Sequence, residues 1–173
     1  MARIRVFAAF LLAAVCLGAS GLPQGTGSQS FQAWAGFGVG SSATLESTAE
    51  NPRGLLASTS VQKLIEKADD HLVLEVAATV VMSGKTDSIP PSKITVQAAP
   101  DPSIGVTQTG SEDVAAAGKT FSCKVLTVTN SVAGPNVKLK IWTSKEVPGG
   151  IVKLEMDGPS LKIRSMLKSL DVK

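Results

Sequence analysis

For most of its length the chain alternates apolar and polar residues with a period of two. Residues 55–67 interleave Ser and Thr with Leu, Val and Ile, and residues 71–82 are rich in β-branched side chains. This predicts two strands joined as a hairpin across Ala68-Asp69-Asp70-His71. Residues 112–116 and 120–129 read as two more strands, with a tight turn at Ala117-Gly118-Lys119. In the next segment Val137, Leu139 and Ile141 share one face, and Lys138, Lys140 and Trp142 share the other. Val152, Leu154 and Met156 then alternate with Lys153 and Glu155. Alternation of this kind marks an antiparallel sheet with one solvated face.

The breaks in the alternation carry turn residues. Residues 83–92 hold Gly84 and Pro90-Pro91, and residues 100–110 hold Pro100, Pro102 and Gly110. Both are expected to be loops, leaving a short strand at 93–98 between them. Gly134-Pro135 places a turn within 130–136. Val147-Pro148-Gly149-Gly150 fits a type II turn, in which Pro supplies a φ of about −65° and the following Gly accepts a positive φ. The tail, 161–173, fits two patterns. Ile163, Met166, Leu167 and Leu170 make a helical stripe; Leu161 and Ile163, then Leu170 and Val172, make strands with a break, and the strand reading is preferred. Near the start, Phe31, Trp34 and Phe37 recur every three residues. They predict a short helical turn whose aromatic face plugs an end of the sheet or covers an edge, with Gly38 and Gly40 ending it.

The first twenty residues have another character. Arg3 and Arg5 precede an apolar run from Val6 to Ala19, about 14 residues where a membrane span takes about 20. Small residues follow, with Gly18 and Ser20 at a small-x-small spacing. Residues 1–20 are therefore expected to be a secretory signal peptide. A lipoprotein signal acylated at Cys16 is the rival, disfavoured because the bulky Val15 precedes the cysteine. The expected organisation is a signal peptide at 1–20, a flexible N-terminus with a short helical turn at 21–36, and a single antiparallel β domain at 37–173. The fold class is all-β with minor helix: a curved antiparallel sheet, open or half barrel, of about eight to ten strands in meander order, because sheets of that size curl.

Charge narrows the function. The 17 basic residues become 15 without Arg3 and Arg5, against 14 acids, a net charge of +1. Near-neutral balance leaves no electrostatic footprint for nucleic acid. Beyond Cys16 there is one cysteine, Cys123, so no internal disulfide can form in a processed chain. It sits at an apolar position in FSCKVLTV and reads as a buried small side chain.

The motifs that suggest chemistry do not hold. Gly84-Lys85-Thr86 and Gly118-Lys119-Thr120 lack the earlier glycine of a phosphate loop, since Thr79 and Asp113 stand there. Gly36 to Ser41, GFGVGS, has Ser41 where a dinucleotide loop has its last glycine. His71 is the only histidine and flanks a turn. Asp69-Asp70 and Glu112-Asp113 are neighbours in sequence, and in a strand such neighbours point to opposite faces. No catalytic residue, cofactor or metal is expected, and the chain is read as a non-enzyme. Aromatics are 4% of residues, with no Tyr, so the core must be aliphatic.

Three stretches carry a resemblance: Trp34 to Ser41, GKTFSCKV at 118–125, and WTSKEVPGGIVKLE at 142–155. Together they resemble an uncharacterised family of exported, planctomycete-like bacterial proteins with a W-x-S-x-x-V-P-G-G-x-V-K segment. The arrangement is also similar, more distantly, to the lipoprotein-carrier fold of the bacterial periplasm. That resemblance implies an unclosed barrel holding acyl chains in its concave face, with helices over the mouth. This chain departs from it in having few helical segments. Two readings follow. One is an exported, periplasmic or extracellular, non-enzymatic binding protein holding an apolar or acyl ligand in the concave face. The other is a structural or interaction protein of the cell envelope with a solid core, its partner another envelope protein. A cavity decides between them. Trp34, Trp142, Val147 and Pro148 are the candidate contact residues, with Trp142 packing under the Phe31–Trp34 turn or against a ligand or partner.

Overall fold

The computed structural model describes the backbone of residues 27–52, 54–98, 105–129 and 136–173. The expected signal segment, 1–20, and Cys16 lie outside them. Helix α1 (Gly27–Ala35) is followed by nine strands: β1 (Ser42–Asn51), β2 (Gly54–Lys67), β3 (His71–Met82), β4 (Lys85–Gln97), β5 (Gly105–Ala116), β6 (Lys119–Thr129), β7 (Lys138–Thr143), β8 (Ile151–Asp157) and β9 (Lys162–Asp171). They form one sheet in the order β4-β3-β2-β1-β9-β8-β7-β6-β5. Every neighbouring pair is antiparallel. Two meanders thus run outward from the central β1–β9 pair, and β4 and β5 are the free edges.

The sheet cannot be flat. Eight spacings of about 4.8 Å would put its edges about 38 Å apart. Yet Gln97 at the end of β4 and Gly105 at the start of β5 are joined by a chain that reaches at most about 29 Å. The sheet must curve until its edges approach. The same count has a second consequence. After eight antiparallel steps β4 and β5 run in the same direction, so they cannot close the sheet by antiparallel pairing.

Leu45, Ala49, Leu56, Leu64, Leu72, Leu74 and Val76 lie on one face and are buried, while Glu46, Thr48, Val61 and Lys63 on the other are at least partly exposed. Helix α1 marks the buried face as the concave one. Its Phe31 and Trp34 pack with Leu64, Leu72, Leu74, Val76 and Val96 of β2, β3 and β4. On the opposite arm the N–H of Gly149, in the β7–β8 loop, donates to the Ala33 carbonyl at 3.2 Å. A helix of 9 residues touches both arms only if the sheet bends around it. Burying apolar side chains of this size contributes about 1.5–3 kcal/mol each, which is what holds so short a helix in place.

The predicted hairpins at 68–71 and 117–118 are present. Ala68 N–H donates to the His71 carbonyl at 2.9 Å, and the Ala117-Gly118 turn has φ of 50° and 77°. Three segments differ from expectation. Residues 85–92 are part of β4, not a loop. Ser92 pairs with Val76 and Ile89 with Ala78, so Pro90-Pro91 sit in a bulge. β4 is an edge strand, and prolines without an N–H are tolerated at edges and bulges. Strand β5 begins at Gly105, inside the expected loop, with a bulge between Gln108 and Gly110. The tail is a single strand, β9, whose register slips at Lys168: Leu45 faces Leu167, and Thr44 faces Ser169. That extra residue turns a period of two into the spacing 163, 167, 170, which imitates a helical stripe.

Candidate functional site

The loop from Ser144 to Gly150 holds the helix. Gly150 N–H donates to the Val147 carbonyl at 2.7 Å, and Ser144 N–H donates to the Gly150 carbonyl at 2.8 Å. Gly149 has φ of 79°, as the type II turn requires. Its face lies against the Trp34 indole: a Cβ there would stand 3.0 Å from Trp34 Nε1. Val147 and Pro148 are buried beneath this turn. At the end of α1, Lys67 Nζ donates to the Ala35 carbonyl at 2.5 Å and the Phe37 carbonyl at 3.3 Å. A cation there complements the negative end of the helix. Beyond the helix, Gly38 N–H donates to the Lys173 carbonyl at 3.1 Å, and Lys173 N–H donates to Ser41 Oγ at 2.9 Å. The helix is therefore fastened to both arms and to the end of β9.

Trp34, Val147 and Pro148 thus come together at one helix–turn junction. Trp142 lies in the buried cluster that includes Val147, not in the one that includes Trp34. It is 2% exposed, packed within a hydrophobic cluster, while its Nε1 and ring face also meet charged groups. Its Nε1–H donates to Glu112 Oε2 at 2.8 Å, and the ammonium groups of Lys140 and Lys153 stand 4.7 and 4.4 Å from its ring. Glu112 belongs to β5, which is not a sheet neighbour of β7. The β5–β6 hairpin extends past the end of β7, and β5 reaches back to β8 and β9. Val114, Phe121, Cys123 and Val125 are buried along this hairpin.

A partly open cavity of about 1240 Å³ lies between α1 and the β5–β7 arm. Leu126 and Val128 of β6 and Ile141 of β7 give it an apolar wall, with Ala33, Ala35 and Phe37 opposite. Gln108, Ser111, Ser122, Lys124, Thr143, Lys145 and Glu146 line the rest. Leu126, Lys124 and Lys145 were not among the residues expected at a site. A signal was present in FSCKVLTV: buried residues sit at 121, 123 and 125, then at 128. The change of parity shows a strand that presents apolar side chains to both faces, one of them the cavity. A second, smaller trough of about 490 Å³ lies on the outer face and includes Thr48, Ala57, Thr59, Thr79 and Met166.

The remaining groups are structural in their contacts. His71 Nδ1 lies 2.7 Å from Asp70 Oδ1 and Nε2 lies 3.4 Å from Glu66 Oε1. The Asp70 hydrogen bond raises the imidazole above its ordinary value, and the same bond lowers the Asp70 carboxyl. Burial, then the Asp113, Glu112 and Glu146 carboxylates, pushes the Cys123 thiol up, and an inert thiol is the result. Inside the sheet, Ser47 Oγ donates to Ser165 Oγ at 2.8 Å, while Ser60 Oγ and Gln62 Nε2 are buried without a partner. Among the described residues no group of His, Cys, Asp and Glu is placed to hold a metal ion. No helix among them is long and apolar enough to cross a membrane.

No family model matches the sequence, and no curated protein matches it. Solved structures do resemble the fold. MucB, in its complex with MucA(peri), superposes with a TM-score of 0.50 at 12% identity, over 84% of this chain and 55% of that one. The chain thus spans little more than half of MucB. A Bacteroides fragilis protein with a YmcC-like fold gives a TM-score of 0.48 at 10% identity, over 78% of this chain and 97% of that one. The Mycobacterium tuberculosis lipoprotein LppX gives 0.40 at 10% identity, over 82% and 91%. At such identities the likeness is one of fold alone.

Proposed function

We propose that this chain is an exported, non-enzymatic binding protein that holds an apolar or acyl ligand between helix α1 and the concave face of β5–β7. The supporting observation is the cavity. It is larger than the roughly 300–1,000 Å³ typical of drug-sized ligands, at about 1240 Å³. Its wall of Leu126, Val128 and Ile141 suits hydrocarbon. The polar groups around it form no nucleophile–base arrangement. Trp34, Val147 and Pro148 act in this reading by holding the helix that forms the cavity's other wall.

The alternative, an envelope interaction protein with a solid core, draws support from MucB, whose structure contains a bound MucA segment. A filled interior would suit that role better than the cavity does. Native mass spectrometry of the protein purified from its own host separates the two. A co-purifying mass of lipid size is expected, and a Leu126→Trp variant that folds normally should lose it. Wild-type protein that carries no such mass and takes up no fatty acid or alkanol in vitro overturns the binding reading. N-terminal sequencing of the same sample checks export: a mature start between Leu17 and Gln24 is expected, and a diacylated Cys16 contradicts it.

A further inference from the structure

The cavity is not uniformly greasy, and the asymmetry has a sign. Lys124 lies on the cavity side of β6, paired in register with Thr143 of β7 and Ser111 of β5. Lys145 follows in the loop after β7. Both line the cavity. Among the described residues neither has a carboxylate partner, whereas Glu146, the one carboxylate on the rim, is engaged by Lys119 Nζ at 3.1 Å. Four hydroxyls, those of Ser111, Ser122, Thr143 and Ser144, stand around the same rim. One part of the cavity therefore offers hydrocarbon contacts. Another offers the two ammonium groups and rim hydroxyls, of which Thr143 Oγ1 already donates to the Lys124 carbonyl at 3.4 Å.

From this polarity we infer that the ligand is an anionic amphiphile: one hydrocarbon chain against Leu126, Val128 and Ile141, and an oxyanion head, carboxylate or phosphate, at Lys124 and Lys145. The inference rests on the binding role proposed above and goes further by naming the head group. A neutral apolar ligand would leave both ammonium groups without a counter-charge. An anionic head takes them as partners, and its oxygens also accept from the rim hydroxyls. Rim charges act on association rate and salt dependence more than on buried contacts, so the effect should be visible in salt titrations.

The test compares three probes with one chain length: palmitate, a palmitoyl lysophosphatidate and hexadecanol. Wild-type protein is expected to bind palmitate about tenfold more tightly than hexadecanol, the scale that two rim ion pairs supply. That preference should shrink as salt is raised. The Lys124→Gln/Lys145→Gln variant should bind all three probes alike, with hexadecanol affinity unchanged, and Lys→Arg replacements should restore the preference. Because hexadecanol binding also reports folding, a misfolded variant is recognised at once, and the wild-type salt titration then decides alone. Equal wild-type affinity for palmitate and hexadecanol, or an undiminished preference in the double variant, overturns the head-group assignment and leaves the cavity reading standing. Failure of the wild type to bind any of the three removes both. Lysophosphatidate well ahead of palmitate would identify the head as phosphate, and the reverse as carboxylate.

Discussion

Replacing Gly149 by alanine separates two costs that coincide at that position. The first is backbone strain. Gly149 has φ of 79°, and an L-residue held there loses about 1–2 kcal/mol. The second is collision. The new methyl would stand 3.0 Å from Trp34 Nε1 and 3.1 Å from Cε2 and Cζ2. The indole is 1% exposed and wedged among Leu64, Leu72 and Leu74, so it cannot swing away. Overpacking a filled site costs typically about 1–3 kcal/mol. The total expected for Gly149→Ala is therefore about 2–5 kcal/mol.

Two hairpin glycines supply the control. Gly84 and Gly118 have φ of 75° and 77°, with nothing within 4 Å of where a Cβ would stand. Gly84→Ala and Gly118→Ala should each cost only the strain term, about 1–2 kcal/mol. Urea unfolding followed by far-UV circular dichroism measures all three, with the midpoint shift read at constant m. Tryptophan emission of Gly149→Ala should also change, because Trp34 is displaced. If Gly149→Ala falls within about 0.5 kcal/mol of the two controls, Trp34 does not pack on this turn and the helix is not held there.

The remaining expectations concern single side chains. Trp142→Ala removes a buried indole and should cost about 3–5 kcal/mol in urea unfolding; a loss under about 0.5 kcal/mol would contradict its burial between Lys140, Lys153 and Glu112. Cys123 should react slowly with maleimide in the native protein and at full rate in urea, since its thiol is buried and its deprotonation disfavoured; rapid native labelling would show an open hairpin. His71 has its folded pKa raised from 6.5, so its contribution to stability is full below that value and is lost as pH rises through the raised one. Asp70 is lowered from 3.8, so its contribution is present above that value and lost as pH falls through the lowered one. Stability of wild type relative to His71→Asn should therefore be greatest at about pH 5 and vanish at high pH. A difference that does not change with pH would show that the pair is not formed in solution.

The central strands were readable because nothing interrupts their alternation. Residues 55–67 and 71–82 have one face against the core and the other toward water, so burial imposes period two on the sequence. Where two forces meet, the period fails. At Pro90-Pro91 the edge position of β4 leaves outward N–H groups unneeded, and a bulge absorbs the prolines; both facts depend on the sheet order, which no local window contains. At Leu167 one extra residue shifts the parity and mimics a helix. Trp142 read as a residue of the lysine-bearing face that either packs under the Phe31–Trp34 turn or meets a ligand or partner; Glu112 was not legible as its neighbour, because it lies on β5, which is not adjacent to β7 in the sheet. The cavity was the least legible feature. Leu126, Val128 and Ile141 read as ordinary core residues; Val128 and Ile141 are in fact buried, and the cavity that they border depends on where α1 is placed.

Strand number explains why a space is left to uncover. An antiparallel meander closes into a barrel when its strand count is even, since the last strand then opposes the first. This chain pairs β1 with β9 antiparallel, which moves the mismatch to β4 and β5. Those strands run the same way, and the ladder that joins all other neighbours has no register for them. The curvature that brings the edges together therefore cannot proceed to closure. What results is a bent sheet with a concave face that nine strands alone do not seal. One short helix then covers the β2–β4 side of that face, anchored by Trp34 against Gly149. On the β5–β7 side the cavity remains, and beside it Lys124 and Lys145 have no carboxylate partner among the described residues. The binding role proposed above makes use of that space; the solid-core alternative does not.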